Sequence, residues 1–256
     1  MTWSARQYAA FEDERTRPVR DLVAALPEIR ARRAIDLGCG PGNSTEVLAA
    51  RFPEAEVSGL DSSSDMVEAA RARMPGTSFA VADIEQWNDP GPFDVILANA
   101  VFQWLPDHET LFPALVAKLD AGGGLAIQMP DNLDEPAHRL MREVAAAGPW
   151  AAKLAAAAAS RTSLPSAAAY HRLLKPVCRR VDVWRTTYHH ALEGGAGAIV
   201  EWFKGSGLRP FLAPLDPDAR AAYLERYTAA VAKAYPASDD GTVLLPFPRL
   251  FLAAIR

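Results

Sequence analysis

The chain has 256 residues, half of them hydrophobic, with a formal net charge of -4 and a pI of about 5.8. This is enough apolar material for one α/β domain with an added cap, and the scattered basic residues exclude a nucleic-acid footprint. The two cysteines, Cys39 and Cys178, give neither a disulfide framework nor metal-ligand spacing, so we predict reduced thiols and no metal. We find no apolar signal segment and no run of ~18 apolar residues, so we expect a cytoplasmic protein without a membrane partner.

The first half of the chain alternates between short apolar runs and helical patterns. In chain order we predict a helix over 17–26, a strand over 33–37, a helix over 44–51, a strand over 56–60, a helix over 66–74, a third short strand ending at Asp83, a strand over 93–98, a helix over 108–119, and a turn at 122–124 into a strand over 125–129. This alternation predicts an α/β fold with a doubly wound, mostly parallel, seven-stranded, Rossmann-like sheet.

The pattern changes after Pro130. An alanine-rich helical segment over 145–159 predicts a helical cap, and it is followed by a helix over 167–174, a strand over 180–189, helices over 196–204 and 217–234, and a closing strand over 249–254. We interpret residues 1–256 as a single domain with an N-terminal segment and helix (1–30), a ligand-binding half (31–129), a helical cap insertion (130–178), and C-terminal strands with substrate-side helices (179–256).

A glycine-rich turn follows the first predicted strand. Gly38, Gly40 and Gly42 alternate with other residues directly after Asp36, and glycine lets a backbone turn tightly with no Cβ to block a ligand. The dinucleotide pattern G-x-G-x-x-G fits poorly, because the third glycine comes one residue early. The turn therefore predicts a nucleoside cofactor other than a dinucleotide.

Two further acidic residues follow the next two predicted strands. Asp61 and Asp83 would lie beside Asp36, because parallel strands bring their carboxyl ends to one edge of the sheet. An acid in the position of Asp61 can bind both ribose hydroxyls. The alternative is that Asp61 and the residues at 62–65 only cap the following helix.

The D-x-G-x-G-x-G pattern with these acids resembles the class I S-adenosylmethionine methyltransferases. The resemblance implies S-adenosylmethionine as cofactor, with Asp36 towards its amino-acid end, Asp61 on the ribose and Asp83 beside the adenine. The cofactor-binding residues that we predict are Asp36, Gly38, Gly40, Gly42, Asn43, Asp61, Ser62, Met66, Asp83, Ile84 and Asn99.

The segment from Asn99 to His108 follows the fourth predicted strand, where the methyl group leaves in this superfamily. It lacks the N-P-P-Y type motif of enzymes that methylate nucleobase amines or protein amides, and its Gln103-Trp104 pair resembles small-molecule O-methyltransferases. Trp104 is therefore a candidate substrate contact, with a core aromatic as the alternative.

Segments at 128–132, 184–188 and 207–210 resemble a narrower family, carboxyl methyltransferases whose acceptor is trans-aconitate. The resemblance implies a small polycarboxylate substrate and a monomethyl ester product. A carboxylate is ionised at neutral pH, so no general base is needed and we predict positioning residues without a catalytic one. The predicted substrate-binding residues are Tyr8, Trp104, Arg185, Arg209, Arg17 and Arg249, chosen as hydrogen-bond donors and carboxylate-binding cations.

Two other functions stay open at this point. A methyltransferase acting on a neutral hydroxyl or amine would need a base such as His108 or His189, and a non-catalytic nucleoside-binding module would need only the glycine turn. Several small polyacids fit the chemistry, including trans-aconitate, cis-aconitate and isopropylmalate. We expect a monomer or a weak homodimer.

Overall fold

The computed structural model describes residues 12–160 and 162–256, and within them seven strands form one mixed sheet. The order across the sheet is β3-β2-β1-β4-β5-β7-β6, and β1 pairs in parallel with both β2 and β4. The strands are β1 (Arg33–Leu37), β2 (Glu56–Asp61), β3 (Ser78–Val81), β4 (Phe93–Asn99), β5 (Leu119–Pro130), β6 (Arg180–Leu192) and β7 (Val243–Ile255).

One helix precedes β1, and the other helices lie between the strands. They are α1 (Glu12–Ala24), α2 (Asn43–Arg51), α3 (Ser64–Arg73), α4 (His108–Ala117), α5 (Pro136–Ala147), α6 (Ala151–Ala158), α7 (Ala167–Leu174), α8 (Gly195–Lys204), α9 (Arg209–Leu212) and α10 (Pro217–Ala234), with a 3-10 turn at Phe102–Trp104. None of the helices in the described residues is long and apolar enough to cross a membrane.

The central strands are buried along most of their length. Residues 34–37 of β1, 95–98 of β4 and 123–129 of β5 are all buried. Continuous burial is typical of parallel strands covered on both faces, so the predicted α/β sheet is confirmed. The strand order reverses at β1, whose neighbours are β2 and β4, and ligands of such sheets bind at the carboxyl ends of the strands around this reversal.

The predicted turn at 122–124 is wrong, because these glycines lie inside β5. A Cβ on Gly123 would stand 3.0 Å from the carbonyl oxygens of Asp120 and Phe93, and the β4–β5 register shifts between Phe93 and Val95. The glycines therefore permit a close approach at an irregularity of the ladder.

The alanine-rich helical segment predicted over 145–159 is divided between two helices, α5 and α6. Helix α5 ends at Gly148, where a Cβ would stand 2.2 Å from the Trp150 ring. The Trp150 indole N–H donates to the carbonyl of Val144 at 3.0 Å. Other element bounds also differ from those predicted. The third strand ends at Val81, β7 begins at Val243, and α9 was not predicted.

The chain divides into two compact units. The first contains the described residues up to Pro130, together with Pro165–Thr186 and Leu250–Arg256, and the second contains Asp131–Leu164 and Thr187–Arg249. In the second unit, Tyr223 and Tyr227 of α10 donate to the carbonyl oxygens of Met141 and Ala137 in α5, at 3.0 and 3.1 Å. These buried hydroxyls fix α5 against α10.

Candidate active site

The glycine loop, residues 38–42, leaves the carboxyl end of β1. Gly38, Gly40 and Gly42 have φ angles of +69°, +55° and +91°, which disfavour any residue with a Cβ. The amide of Gly38 donates to the carbonyl of Leu60 at 2.8 Å, so the loop is held against β2. A Cβ on Gly38 would clash with Val101, whereas a Cβ on Gly40 would have no atom within 4 Å. The loop is thus open to a ligand at Gly40.

The carboxylate of Asp36 is fully buried at the end of β1. Its Oδ2 atom accepts hydrogen bonds from the Ser44 and Thr45 hydroxyls, both at 2.7 Å, and its Oδ1 atom accepts none from the described residues. Burial raises the pKa of Asp36 to about 7, the two hydroxyls act to lower it, and the charge of Asp61 raises it further. One oxygen is therefore fixed and the other is open to a hydrogen-bond donor.

Asp61 ends β2 and faces the glycine loop. Its Oδ2 accepts from the amide of Gly40 at 3.0 Å, and its Oδ1 accepts from the amide of Ser63 at 2.9 Å. Desolvation raises its pKa, while the backbone donors act to lower it. Capping of α3 does not account for both contacts, because Asp61 bonds the glycine loop as well as the start of α3.

Asp83 lies two residues beyond the end of β3, not at its last position as predicted. It is exposed, and its Oδ1 accepts from the amide of Glu85 at 2.9 Å within a turn. The next residue, Ile84, is buried. This turn offers an acid and an apolar side chain side by side.

Amide and aromatic side chains lie at the end of β4 and in the loop that follows it. Asn99 ends the strand, and its Oδ1 atom is buried without a hydrogen-bond partner in the described residues. Gln103 donates to the carbonyl of Ala100 at 2.6 Å, where Ala100 has a φ of +56°. Trp104 is half-buried in the 3-10 turn. Val101 of this loop lies directly against Gly38, so the loop after β4 packs against the glycine loop.

The other residues predicted around the cofactor differ in exposure. Asn43 is buried at the start of α2 and donates to the Thr16 hydroxyl of α1 at 3.3 Å. Met66 is buried on α3, whereas Ser62 is exposed. Tyr8, which the sequence predicts at the substrate and not at the cofactor, lies outside the described residues.

The histidines considered as bases have different surroundings. His108 is buried, with Nδ1 at 2.7 Å from the Tyr170 hydroxyl and Nε2 at 2.8 Å from the carbonyl of Phe102. A carbonyl can only accept, so Nε2 carries a proton and both ring nitrogens are engaged. His189 is exposed on β6.

The four predicted arginines do not share one environment. Arg17 on α1 and Arg185 on β6 are exposed in the first unit, and Arg209 is half-buried at the start of α9 in the second. Arg249 is 4% exposed, and its guanidinium lies 4.6 Å from the centre of the Phe247 ring. Arg249 is therefore the one buried side chain among these four arginines.

Two residues of this site were missed by the sequence analysis. Ser44 and Thr45 bond Asp36, and the signal was a pair of hydroxyl residues in the first turn of the helix after the glycine loop.

Among the described residues, no group of histidine, cysteine, aspartate and glutamate side chains is arranged to hold a metal ion.

The glycine loop, the acids at the ends of β1 and β2, and this sheet order define a class I S-adenosylmethionine-dependent methyltransferase. A sequence profile described as a methyltransferase domain matches residues 34–123. Solved structures support the fold. The YcgJ protein from Bacillus subtilis has a TM-score of 0.61 at 11% identity, covering 94% of this chain and 98% of that one. A Haemonchus contortus phosphoethanolamine N-methyltransferase in complex with S-adenosylhomocysteine has a TM-score of 0.55 at 18% identity, covering 94% of this chain and 52% of that one.

Curated relatives define the narrower family. The chain is 58% identical to a trans-aconitate 2-methyltransferase from Methylobacterium nodulans, over 99% of this chain and 98% of the relative. It is 54% identical to one from Rhizobium rhizogenes, over the full length of both. The chain belongs to the trans-aconitate 2-methyltransferase family.

Proposed function

We propose that this chain transfers a methyl group from S-adenosylmethionine to one carboxylate of trans-aconitate or a closely related polycarboxylate. The observation that carries the proposal is the identity of more than half the residues, over almost the whole length, with relatives that bear this name. Near-complete coverage matters because the substrate side of such an enzyme is built outside the glycine loop and its strands.

The residues at the carboxyl ends of β1, β2 and β4 fit S-adenosylmethionine. The open face at Gly40 leaves room for a ligand against the backbone, and the Oδ1 atoms of Asp36 and Asn99 are buried acceptors that suit a ligand with donor groups. We assign Asp36 to the ammonium of the amino-acid end, Asp61 to the ribose hydroxyls, and the turn with Asp83 to the adenine. The other predicted loop and helix residues complete this set: Gly38, Gly42, Asn43, Ser62, Met66 and Ile84.

When bound, S-adenosylmethionine supplies a methyl group on a positively charged sulfur. The protein does not need to remove a proton from the acceptor, because a carboxylate is already ionised at neutral pH. His108 fits this chemistry, since both of its ring nitrogens are engaged by Tyr170 and Phe102. The work left to the protein is to orient the two reactants and exclude water.

A polyanionic acceptor needs cations and hydrogen-bond donors. We assign this role first to Arg249, because a guanidinium buried beside an aromatic ring is suited to a carboxylate that leaves water. Arg209, Arg185 and Arg17 are more exposed and remain candidates, as do Trp104 and Tyr8. A cytoplasmic location and a monomeric or weakly dimeric state are also part of this proposal.

The test is methyl transfer from labelled S-adenosylmethionine to a panel of acids: trans-aconitate, cis-aconitate, isopropylmalate and citrate. We expect trans-aconitate to have the highest kcat/KM. The label should be released by mild alkali, which cleaves a methyl ester but not a methyl ether or methylamine. Label that survives alkali would contradict the carboxylate mechanism and favour a neutral acceptor. Binding of S-adenosylhomocysteine without transfer to any acid would favour a binding module.

A further inference from the structure

Two hydroxyl groups bond the same oxygen of a buried acid. Ser44 and Thr45, in the first turn of α2, each place a hydroxyl at 2.7 Å from Oδ2 of Asp36, and all three residues are at most 3% exposed. An ionised carboxylate oxygen only accepts, so both hydroxyls donate to it. Neither hydroxyl bonds Oδ1, which is buried as well.

This arrangement acts against two unfavourable influences on the charged form of Asp36. Burial removes the carboxylate from water, and the negative charge of Asp61 at the end of β2 repels it. Burial, together with the charge of Asp36, raises the pKa of the Cys39 thiol in the glycine loop and keeps it neutral. The one acidic residue on α2, Glu46, is exposed and forms an ion pair with Arg73. The two hydroxyls are therefore the side-chain groups that favour the ionised form.

We propose that Ser44 and Thr45 are positioning residues of the cofactor site: their hydroxyls favour the ionised form of Asp36 and fix Oδ2, so that Oδ1 faces the ammonium of the cofactor's amino-acid end. This inference rests on the function proposed above. Ser44 and Thr45 would then determine the affinity for the amino-acid end of the ligand and not the affinity for its nucleoside.

The main test compares two ligands by calorimetry. S-adenosylhomocysteine carries the amino-acid end, whereas methylthioadenosine has the nucleoside without it. In the double variant Ser44→Ala/Thr45→Val we expect the affinity for S-adenosylhomocysteine to fall about tenfold or more near pH 7, as for a lost charge-assisted bond. The affinity for methylthioadenosine should stay within about twofold.

Two further variants separate this role from a structural one. Thr45→Ser keeps a hydroxyl and should retain most of the affinity that Thr45→Val loses. Thr228→Val in α10 removes a hydroxyl that donates to the carbonyl of Leu224 at 2.7 Å, and it should change neither affinity. If the double variant fails to fold, the comparison of Thr45→Ser with Thr45→Val decides the question.

The pH dependence gives a second readout. Affinity of the wild type for S-adenosylhomocysteine should rise between about pH 6 and about pH 7.5 as Asp36 ionises, and the rise should move to higher pH in Thr45→Val. The proposal would be overturned if the double variant lost equal affinity for both ligands, or if the pH profile of binding were the same in Thr45→Val as in the wild type. A wild type that binds methylthioadenosine and S-adenosylhomocysteine equally well would also overturn it. A wild type that binds neither ligand would refute the proposed function itself.

Discussion

Gly38 and Val101 lie so close that a Cβ on Gly38 would stand 2.6 Å from Cγ2 of Val101. The loop that follows β1 and the loop that follows β4 are therefore packed against each other through a glycine. The absence of a side chain at Gly38 serves packing between the loops, whereas at Gly40 it leaves the surface open.

This difference predicts distinct effects for two alanine substitutions. Gly38→Ala combines left-handed strain with a clash and should cost about 2 to 4 kcal/mol of unfolding free energy, whereas Gly40→Ala should cost about 1 to 2 kcal/mol. Gly40→Ala should weaken S-adenosylhomocysteine binding more than its stability loss explains. Thermal melts and calorimetry measure the two effects.

The matched control is Gly241, which has a φ of +82° and would also have no atom within 4 Å of a Cβ. Gly241→Ala should cost the same strain and leave ligand affinity unchanged. If Gly40→Ala behaves like Gly241→Ala in both measurements, the open face at Gly40 is not a ligand surface.

Asp61 is predicted to bind the ribose hydroxyls, and Asp61→Ala should weaken S-adenosylhomocysteine binding by about 2 kcal/mol. Part of that loss will come from the loop, because Asp61 also accepts the amide of Gly40. Asp94 is a suitable control, since its Oδ2 accepts the amides of Arg32 and Arg33 at the opposite end of β1. Asp94→Ala should lower stability without lowering affinity in the folded protein. Unchanged affinity in Asp61→Ala would remove Asp61 from the site.

The raised pKa of Asp36 predicts how stability depends on pH. Its folded pKa of about 7 lies above the ordinary value of 3.8 for an aspartate, so the protonated form favours folding. This stabilisation is present below about pH 4 and is lost as the pH rises through about 7, a change of at most about 4 kcal/mol. Asp36→Asn should therefore gain stability relative to the wild type as the pH rises from about 4 to about 7. Parallel stability curves for the two proteins would contradict a buried, titrating Asp36.

His108 is predicted to be a structural residue and not a base. The absence of a needed base predicts that His108→Ala keeps most of its activity. The structure adds a loss of stability of about 2 to 4 kcal/mol, because the variant leaves a cavity and unpaired buried groups at Tyr170 and Phe102. At a temperature where the variant is folded, kcat at saturating cofactor should be close to that of the wild type. A fall in kcat of about a hundredfold or more in the folded variant would instead indicate a base. The exposed His189 is predicted to tolerate alanine in both respects.

Arg249 is predicted to bind an acceptor carboxylate. Arg249→Met should raise the KM for trans-aconitate by about tenfold or more and leave S-adenosylhomocysteine affinity nearly unchanged. Arg226, whose guanidinium lies 5.3 Å from the centre of the Trp150 ring at an exposed position of α10, offers a matched control. If Arg249→Met weakened binding of the acceptor and of S-adenosylhomocysteine equally, Arg249 would have a packing role. The same comparison for Arg185→Met and Arg209→Met tests two further arginines that the sequence predicts at the substrate.

The sequence by itself determined the sheet, because alternating apolar runs and helical patterns are local signals, and it located the glycine loop and Asp61 because both directly follow strands. Tertiary contacts decided the rest. Gly123 lies inside β5 because a neighbouring strand approaches its backbone, and Asp36 has one fixed oxygen because Ser44 and Thr45 return to it from α2. Arg185 and Arg249 look alike in a sequence, and only folding exposes the first and buries the second beside Phe247. Burial and hydrogen bonding between distant residues set the charge and availability of a side chain, and neither is encoded in its immediate neighbours.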